Sequence, residues 1–171
     1  MSGQPLAVAA DLSRHRILIV SAGTRALRLY SWTPGRHRFD TSVPAPIGKG
    51  DLVAAAGRIW AAGFGAQHGV LARLDPGTLR AVRHSPVEQE VGVGAVIVDV
   101  GRRHLMVRSG GSLGDGSGGG ASDLWCIDAG TGAITRHWSP AAGTAVLTDA
   151  GVVLLAPGHP LQRLPSGACR G

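Results

Sequence analysis

Short apolar runs of about five or six residues recur along the chain, each closed by Gly, Pro, Asp or Ser. This is the pattern of β-strands bounded by turns. No window sustains apolar residues at i, i+3, i+4 and i+7. The Ala-rich stretch 52–57 is too short for a helix, and Gly57 closes it before the next apolar run begins. Stacked on one another, the runs fall into register. PLAVAAD, DLVAAAG, GAVIVDVG and TAVLTDAG read as first strands of four units. RILIVSAG, RIWAAGFG, HLMVRSGG and VVLLAPG read as second strands. ALRLYSWTPG, GVLARLDPG, DLWCIDAG and LQRLPSG read as third strands. RHRFDTSVP, LRAVRHSP and AITRHWSP read as fourth strands, and the last unit stops before its own.

The offsets between units support the repeat. Trp32-Thr33-Pro34-Gly35 maps onto Leu74-Asp75-Pro76-Gly77 at 42 residues. Asp75 maps onto Asp128 at 53 residues, the excess being a Gly-rich insert at 110–120. Ile127-Asp128-Ala129-Gly130 maps onto Leu164-Pro165-Ser166-Gly167 at 37 residues. Periods of ~40–50 residues with four strands each are the mark of β-propeller blades. The expected fold is therefore all-β: one domain over 1–171, a propeller-type array of about four four-stranded antiparallel blades. Their approximate bounds are 5–46, 47–92, 93–142 and 143–171, the last incomplete. Such an arc, unless closed, exposes a blade face and a strand edge.

The stretches 57–82 and 122–134, GRIWAAGFGAQHGVLARLDPGTLRAV and SDLWCIDAGTGAI, carry a resemblance. They resemble the repeat-propeller superfamily that includes YVTN-, NHL-, PQQ- and virginiamycin-lyase-type blades. That resemblance implies the architecture and leaves the family within it open. No tryptophan-docking motif of the PQQ type and no Gly-His…Trp-Asp pair of the WD type is present. The lyase type implies a His/Glu/metal site in a full ring. No matched His–Glu pair exists in this sequence, so no catalytic residue carries over.

The hexads RLDPGT and CIDAGT, residues 73–78 and 126–131, read as hairpin turns. Asp caps backbone amides, Pro presets φ, Gly accepts φ > 0, and Thr opens the next strand. Thr33 and Pro165 replace the Asp in the outer copies, which a turn tolerates and an acid catalyst does not. Period-2 alternation puts Tyr30 and Trp32, Ala72 and Leu74, and Trp125 and Ile127 on one face of equivalent strands, a face expected to pack on the neighbouring unit. Trp60 and Trp138 are expected in the same inter-unit layers.

Composition changes this picture little. Hydrophobic residues make up 44% of the 171 and charged residues 16%, a globular balance. The net charge is +6, but all basic residues except Lys49 are Arg and none form a tight block. Charge therefore does not point to a nucleic-acid partner. Cys126 and Cys169 have no metal or redox spacing, and whether they pair is open from sequence. The start MSGQPLAVAADLSRHR has no basic leader, and no apolar stretch approaches the ~18 residues of a spanning helix. A cytoplasmic location is the expectation.

The Gly-rich run places Gly114, Gly116 and Gly119 at G-x-G-x-x-G spacing, but it leads into a strand rather than a helix. The seven His residues show no H-x-x-x-H spacing. No catalytic residue, metal site or cofactor is expected. Topology does place the loops 21–25, 63–69, 109–122 and 157–160, with the inter-blade loops, at one end. They contribute Arg25, His68, Asp115 and His159, joined by Lys49 and Glu90, as the candidate ligand-binding set. The functional expectation is a non-catalytic binding or scaffold module, with a protein partner, self-association through open blade edges, or a small ligand. The alternatives are a lyase-like propeller enzyme or a fragment of a larger sensor or receptor propeller.

Overall fold

The computed structural model describes residues 5–23, 26–64, 69–82, 96–100, 103–109, 122–141, 144–148, 151–155, 160–165 and 168–169. Among the described residues, fourteen strands form four antiparallel sheets, with a 3-10 turn at Leu12–Arg14. The first sheet runs β1 (Pro5–Asp11), β2 (Arg16–Ala22), β3 (Leu27–Trp32), β4 (Thr41–Pro44). The second runs β5 (Lys49–Ala55), β6 (Arg58–Phe64), β7 (Gly69–Leu74). The third runs β8 (Val96–Val100), β9 (His104–Ser109), β10 (Ser122–Asp128), β11 (Ile134–Ala141). The fourth runs β12 (Thr144–Thr148), β13 (Gly151–Leu155), β14 (Gln162–Pro165). Each sheet follows chain order, so each is a meander.

The described strands form antiparallel sheets of three or four strands, as an all-β chain requires. After β7 the described chain offers only an isolated bridge, Leu74 to Ala81, where the second unit's fourth strand was expected. The first strands meet in sequence: β1 lies against β5, β5 against β8, and β8 against β12.

Two apolar layers fill the spaces between the first three sheets. In the first, Ala7, Ala9, Leu18, Val20, Leu29 and Val43 meet Leu52, Ile59, Ala61, Ala72 and Leu74. In the second, Ala55, Trp60, Ala62 and Leu71 meet Leu105, Val107, Ile127 and Ala129. Strand β6 therefore sends Ile59 and Ala61 one way and Trp60 and Ala62 the other. This is why RIWAAGF reads as a continuous apolar run: both faces are covered.

The expected inter-unit face holds in two sheets. Ala72 and Leu74 join the first layer, and Ile127 with half-buried Trp125 joins the second. His137 stacks on Trp125 across the strand pair, ring centroids 3.9 Å apart. In the first sheet, the same positions carry Tyr30 and Trp32, and both are only half-buried. Trp60 is fully buried in the second layer, as expected. Trp138 lies in β11 opposite Leu124, and its side chain is outside the described residues.

Cys126 and Cys169 form a disulfide, 43 residues apart in sequence with Cα atoms 5.4 Å apart. Both are buried. The bond ties the described segment at 168–169 to β10. Arg136 Nη1 donates to the Ala168 carbonyl at 2.8 Å beside it, and Thr135 Oγ1 donates to that of Cys169 at 3.4 Å.

Candidate functional site

The loop end chosen from sequence is described only in part. Arg25, His68, Glu90, Asp115 and His159 lie outside the described residues. Lys49 opens β5 opposite Phe64, and its side chain is outside them too. Backbone geometry does constrain the neighbourhood of Lys49. Gly50 pairs with Gly63, and a Cβ at Gly50 (φ +153°) would fall 2.0 Å from the Ala62 carbonyl oxygen. Only glycine permits that approach.

The polar constellations that are described lie at the opposite end, where the strands turn. Two of them are the repeated hexads. Asp75 Oδ1 accepts the Gly77 amide at 3.0 Å, the Thr78 amide at 2.7 Å and the Thr78 hydroxyl at 2.9 Å. Asp128 Oδ1 accepts the Gly130 amide at 3.0 Å, the Thr131 amide at 2.9 Å and the Thr131 hydroxyl at 3.1 Å. These are the expected Asx caps. The backbone bonds from Thr78 and Thr131 lead in holding both carboxyls below the ordinary value. One detail differs from expectation. The left-handed position is not the Gly of the hexad but two residues further on, Leu79 (φ 59°) in one copy and Gly132 (φ 82°) in the other. The hexad glycine answers to space instead: a Cβ at Gly77 or at Gly130 would sit 3.3 Å from the capping carboxylate.

The first copy turns differently. Gly35 takes φ 88° after Pro34, and the Arg36 amide closes onto the Thr33 carbonyl at 3.1 Å. That is a type II turn with Pro and Gly at its two central positions. Asp40 takes over the acidic role by accepting Thr33 Oγ1 at 2.6 Å and Arg36 Nη1 at 2.7 Å.

A cleft of about 390 Å³ opens beside these turns, lined by Ala10–Ser13 of the first sheet and Ala54–Arg58 of the second. Asp11 is its buried acid, with a side chain 2% exposed. Burial works against its charge. Hydrogen bonds from Ser13 Oγ at 2.7 Å and Arg16 Nε at 3.0 Å, with the Arg16 and Arg14 charges, outweigh it and hold the carboxyl below its ordinary value. The other arm of Arg16 donates to the Pro76 carbonyl. Asp11 thus aims an arginine that clamps the first sheet to the second. The signal in the sequence was an Asp closing an apolar run, followed by Ser-Arg-His-Arg, and its partner 60 residues away was not readable.

The same clamp recurs with other residues. Trp60 Nε1 donates to the Ala129 carbonyl at 3.0 Å, and Arg73 Nη1 to that of Thr131 at 3.1 Å. The first and second sheets each lend side-chain donors to a turn of the next. A carboxylate already saturated by amides or arginine is a poor proton shuttle near neutral pH. Among the described residues, no group of three or more His, Cys, Asp and Glu side chains is placed to hold a metal ion. Among them too, no helix is long and apolar enough to cross a membrane.

No protein-family model matches the sequence, and no curated protein matches it either.

Proposed function

We propose that the chain is a non-catalytic binding or scaffold module, a propeller-type array that presents its ligand surface at the loop end. The observation that carries this reading is the employment of its acids. Asp11, Asp40, Asp75 and Asp128 are each committed to a turn or an arginine. Chemistry at the turn end is thereby architectural, which leaves the end of Arg25, Lys49, His68, Glu90, Asp115 and His159 for recognition. Four meanders in register with four repeats, their first strands meeting in order, support the propeller-type arrangement. The disulfide supports an oxidising compartment rather than the cytoplasm, where such bonds are rare.

The test replaces Arg25, His68, Asp115 and His159 together with alanine. The variant is expected to keep the wild-type β spectrum and melting temperature. It should lose the partner that a photo-crosslinker at position 115 captures in the otherwise native chain. Turnover of a small molecule by the purified chain, abolished by His68→Ala, would replace this reading with the enzymatic one.

A further inference from the structure

The second and third sheets differ at the positions from which a sheet reaches the next turn. In the second sheet, Trp60 and Arg73 pair across β6 and β7, and both donate to the third sheet's turn, at the carbonyls of Ala129 and Thr131. Register identifies their counterparts. Ile59 pairs with Leu74 and Trp60 with Arg73, while Leu105 pairs with Ile127 and Met106 with Cys126. Met106 and Cys126 therefore stand where Trp60 and Arg73 stand, and neither side chain carries the N–H of its counterpart. The acceptor position is kept. The 37-residue offset that sets Leu164 on Ile127 also sets Ala168 on Thr131. The Ala168 carbonyl still accepts an arginine, but from Arg136, the cross-strand partner of Cys126. Cys126 itself is bonded to Cys169. The donor has moved one strand over, and a covalent bond occupies its former place.

We propose that the Cys126–Cys169 bond is a redox lock on the fourth sheet: reduction by a thiol frees β12–β14 from the third sheet while the first three sheets stay stacked. None of the described residues of the two apolar layers comes from β12–β14. The clamps of Arg16, Trp60 and Arg73 likewise end on turns of the second and third sheets. Units stacked in series depend on their immediate neighbours, so one junction opens without dissolving the others. Release bares the face of the third sheet that holds Met106, Leu124 and Cys126. These three alternate with the residues facing the second sheet, and all are buried while the lock is closed.

The chemistry is thiol–disulfide exchange. An external thiolate attacks one sulfur, the S–S bond breaks, and the other sulfur leaves as a thiolate and takes a proton. A second thiol displaces the first from the mixed disulfide. Two thiols thus give up two electrons and two protons, leaving the thiols of Cys126 and Cys169 and one oxidised external disulfide. Access sets the order of events. Cys126 is 0% exposed and Cys169 1%, so attack waits until the turn at 168–169 lifts. Arg136 Nη1, donating to Ala168 at 2.8 Å, and Thr135 Oγ1, donating to Cys169 at 3.4 Å, hold that turn down. The lock stays closed in an oxidising compartment and opens where thiols are abundant.

Amide hydrogen exchange read by mass spectrometry tests this on the wild-type chain, with and without dithiothreitol. Alkylation after denaturation confirms that both thiols are free in the reduced sample. Amides of β12–β14 are expected to exchange about tenfold faster or more once reduced, while those of β1–β7 keep their protection. The double variant Cys126→Ser with Cys169→Ser should show the same pattern without reductant and ignore its addition. Protection of β12–β14 that survives complete reduction overturns the proposal. So does a loss of protection in all four sheets together, which would make the bond a support of the whole chain. The wild-type comparison stands by itself should the double variant fail to fold. Arg136→Ala should be reduced by dithiothreitol about fivefold faster, the effect of one hydrogen bond on the opening of the turn. An unchanged rate overturns the gating of the lock by that turn.

Discussion

The first and second sheets carry nearly the same apolar code and meet different fates. In β6, Ile59 and Ala61 face one layer while Trp60 and Ala62 face the other, and all four are buried. In β2, Leu18 and Val20 are buried while Ile17 and Ile19, on the alternate positions, stay half-exposed. An apolar residue at both parities of a strand encodes a sheet stacked on two sides. The first sheet is written as an interior sheet, yet among the described residues its second face stays partly open. The difference lies in the neighbours, not in the strand, and it can be measured by truncating equivalent residues.

Ile59 and Ile17 are that pair, 42 residues apart and in the same row position. Ile59→Ala should cost about 2–5 kcal/mol, the range for a fully buried aliphatic whose site cannot collapse. Ile17→Ala should cost only about 1 kcal/mol, because water already reaches that face. Urea unfolding of both variants checks the ratio. Equal losses would mean that the first sheet's front is covered in solution.

The junctions between the first three sheets are held by packing and side-chain clamps, whereas segment 168–169 is held to the third sheet covalently. Cys169→Ser should therefore cost about 2–4 kcal/mol, the usual range for a bridge closing a loop of this order. The same loss should follow a reductant in wild type and be absent when the reductant is added to the variant. The pairing itself was not legible. Two cysteines 43 residues apart say nothing about register until β10 and the end of the chain are placed side by side.

Other features were legible because they are local. Strands were bounded by their own turn residues, and the Asp caps followed from Asp-x-Gly-Thr without any knowledge of tertiary structure. The left-handed residue was missed. Leu79 carries no sign of φ 59°, and it accepts that conformation while fully buried in the first layer. The Asp11 cleft was missed because its meaning depends on Arg16 reaching a turn of the next sheet. As for the loop-end set, topology alone chose it, and what those six side chains meet is not set by local pattern.

Asp11 separates the two sheets' electrostatics. Its equivalent in the second sheet is Ala55, which pairs with Arg58 as Asp11 pairs with Arg16 and is a buried alanine of the second layer rather than an acid. Asp11→Asn should cost about 1.5–3 kcal/mol at neutral pH through the weakened charged hydrogen bonds. The carboxyl sits below its ordinary value when folded, so its contribution is complete above the unfolded value near ~3.9. It is lost as pH falls through the lowered folded value. Wild-type stability should therefore fall more steeply below about pH 4 than that of Asp11→Asn, and the two acid-unfolding curves should converge. Parallel curves would show that Arg16 holds Pro76 without help from the acid.

The smallest effect sits in the turns, where Pro76 and Ala129 occupy the same position behind their capping aspartates. Pro at that position restricts the unfolded chain, so Pro76→Ala should cost about 0.4–1 kcal/mol. The reverse change in the third sheet should not return that gain. Ala129 donates its amide to the Arg103 carbonyl at 2.7 Å and is fully buried in the second layer. Proline there removes the donor and adds ring atoms against Trp60, whose indole already bonds the Ala129 carbonyl. Ala129→Pro should thus lose about 1 kcal/mol in denaturant unfolding, a lost hydrogen bond and crowding set against the proline gain. A stabilised Ala129→Pro would show that the hexads are interchangeable. A destabilised one would show that each turn is fitted to the sheet that clamps it.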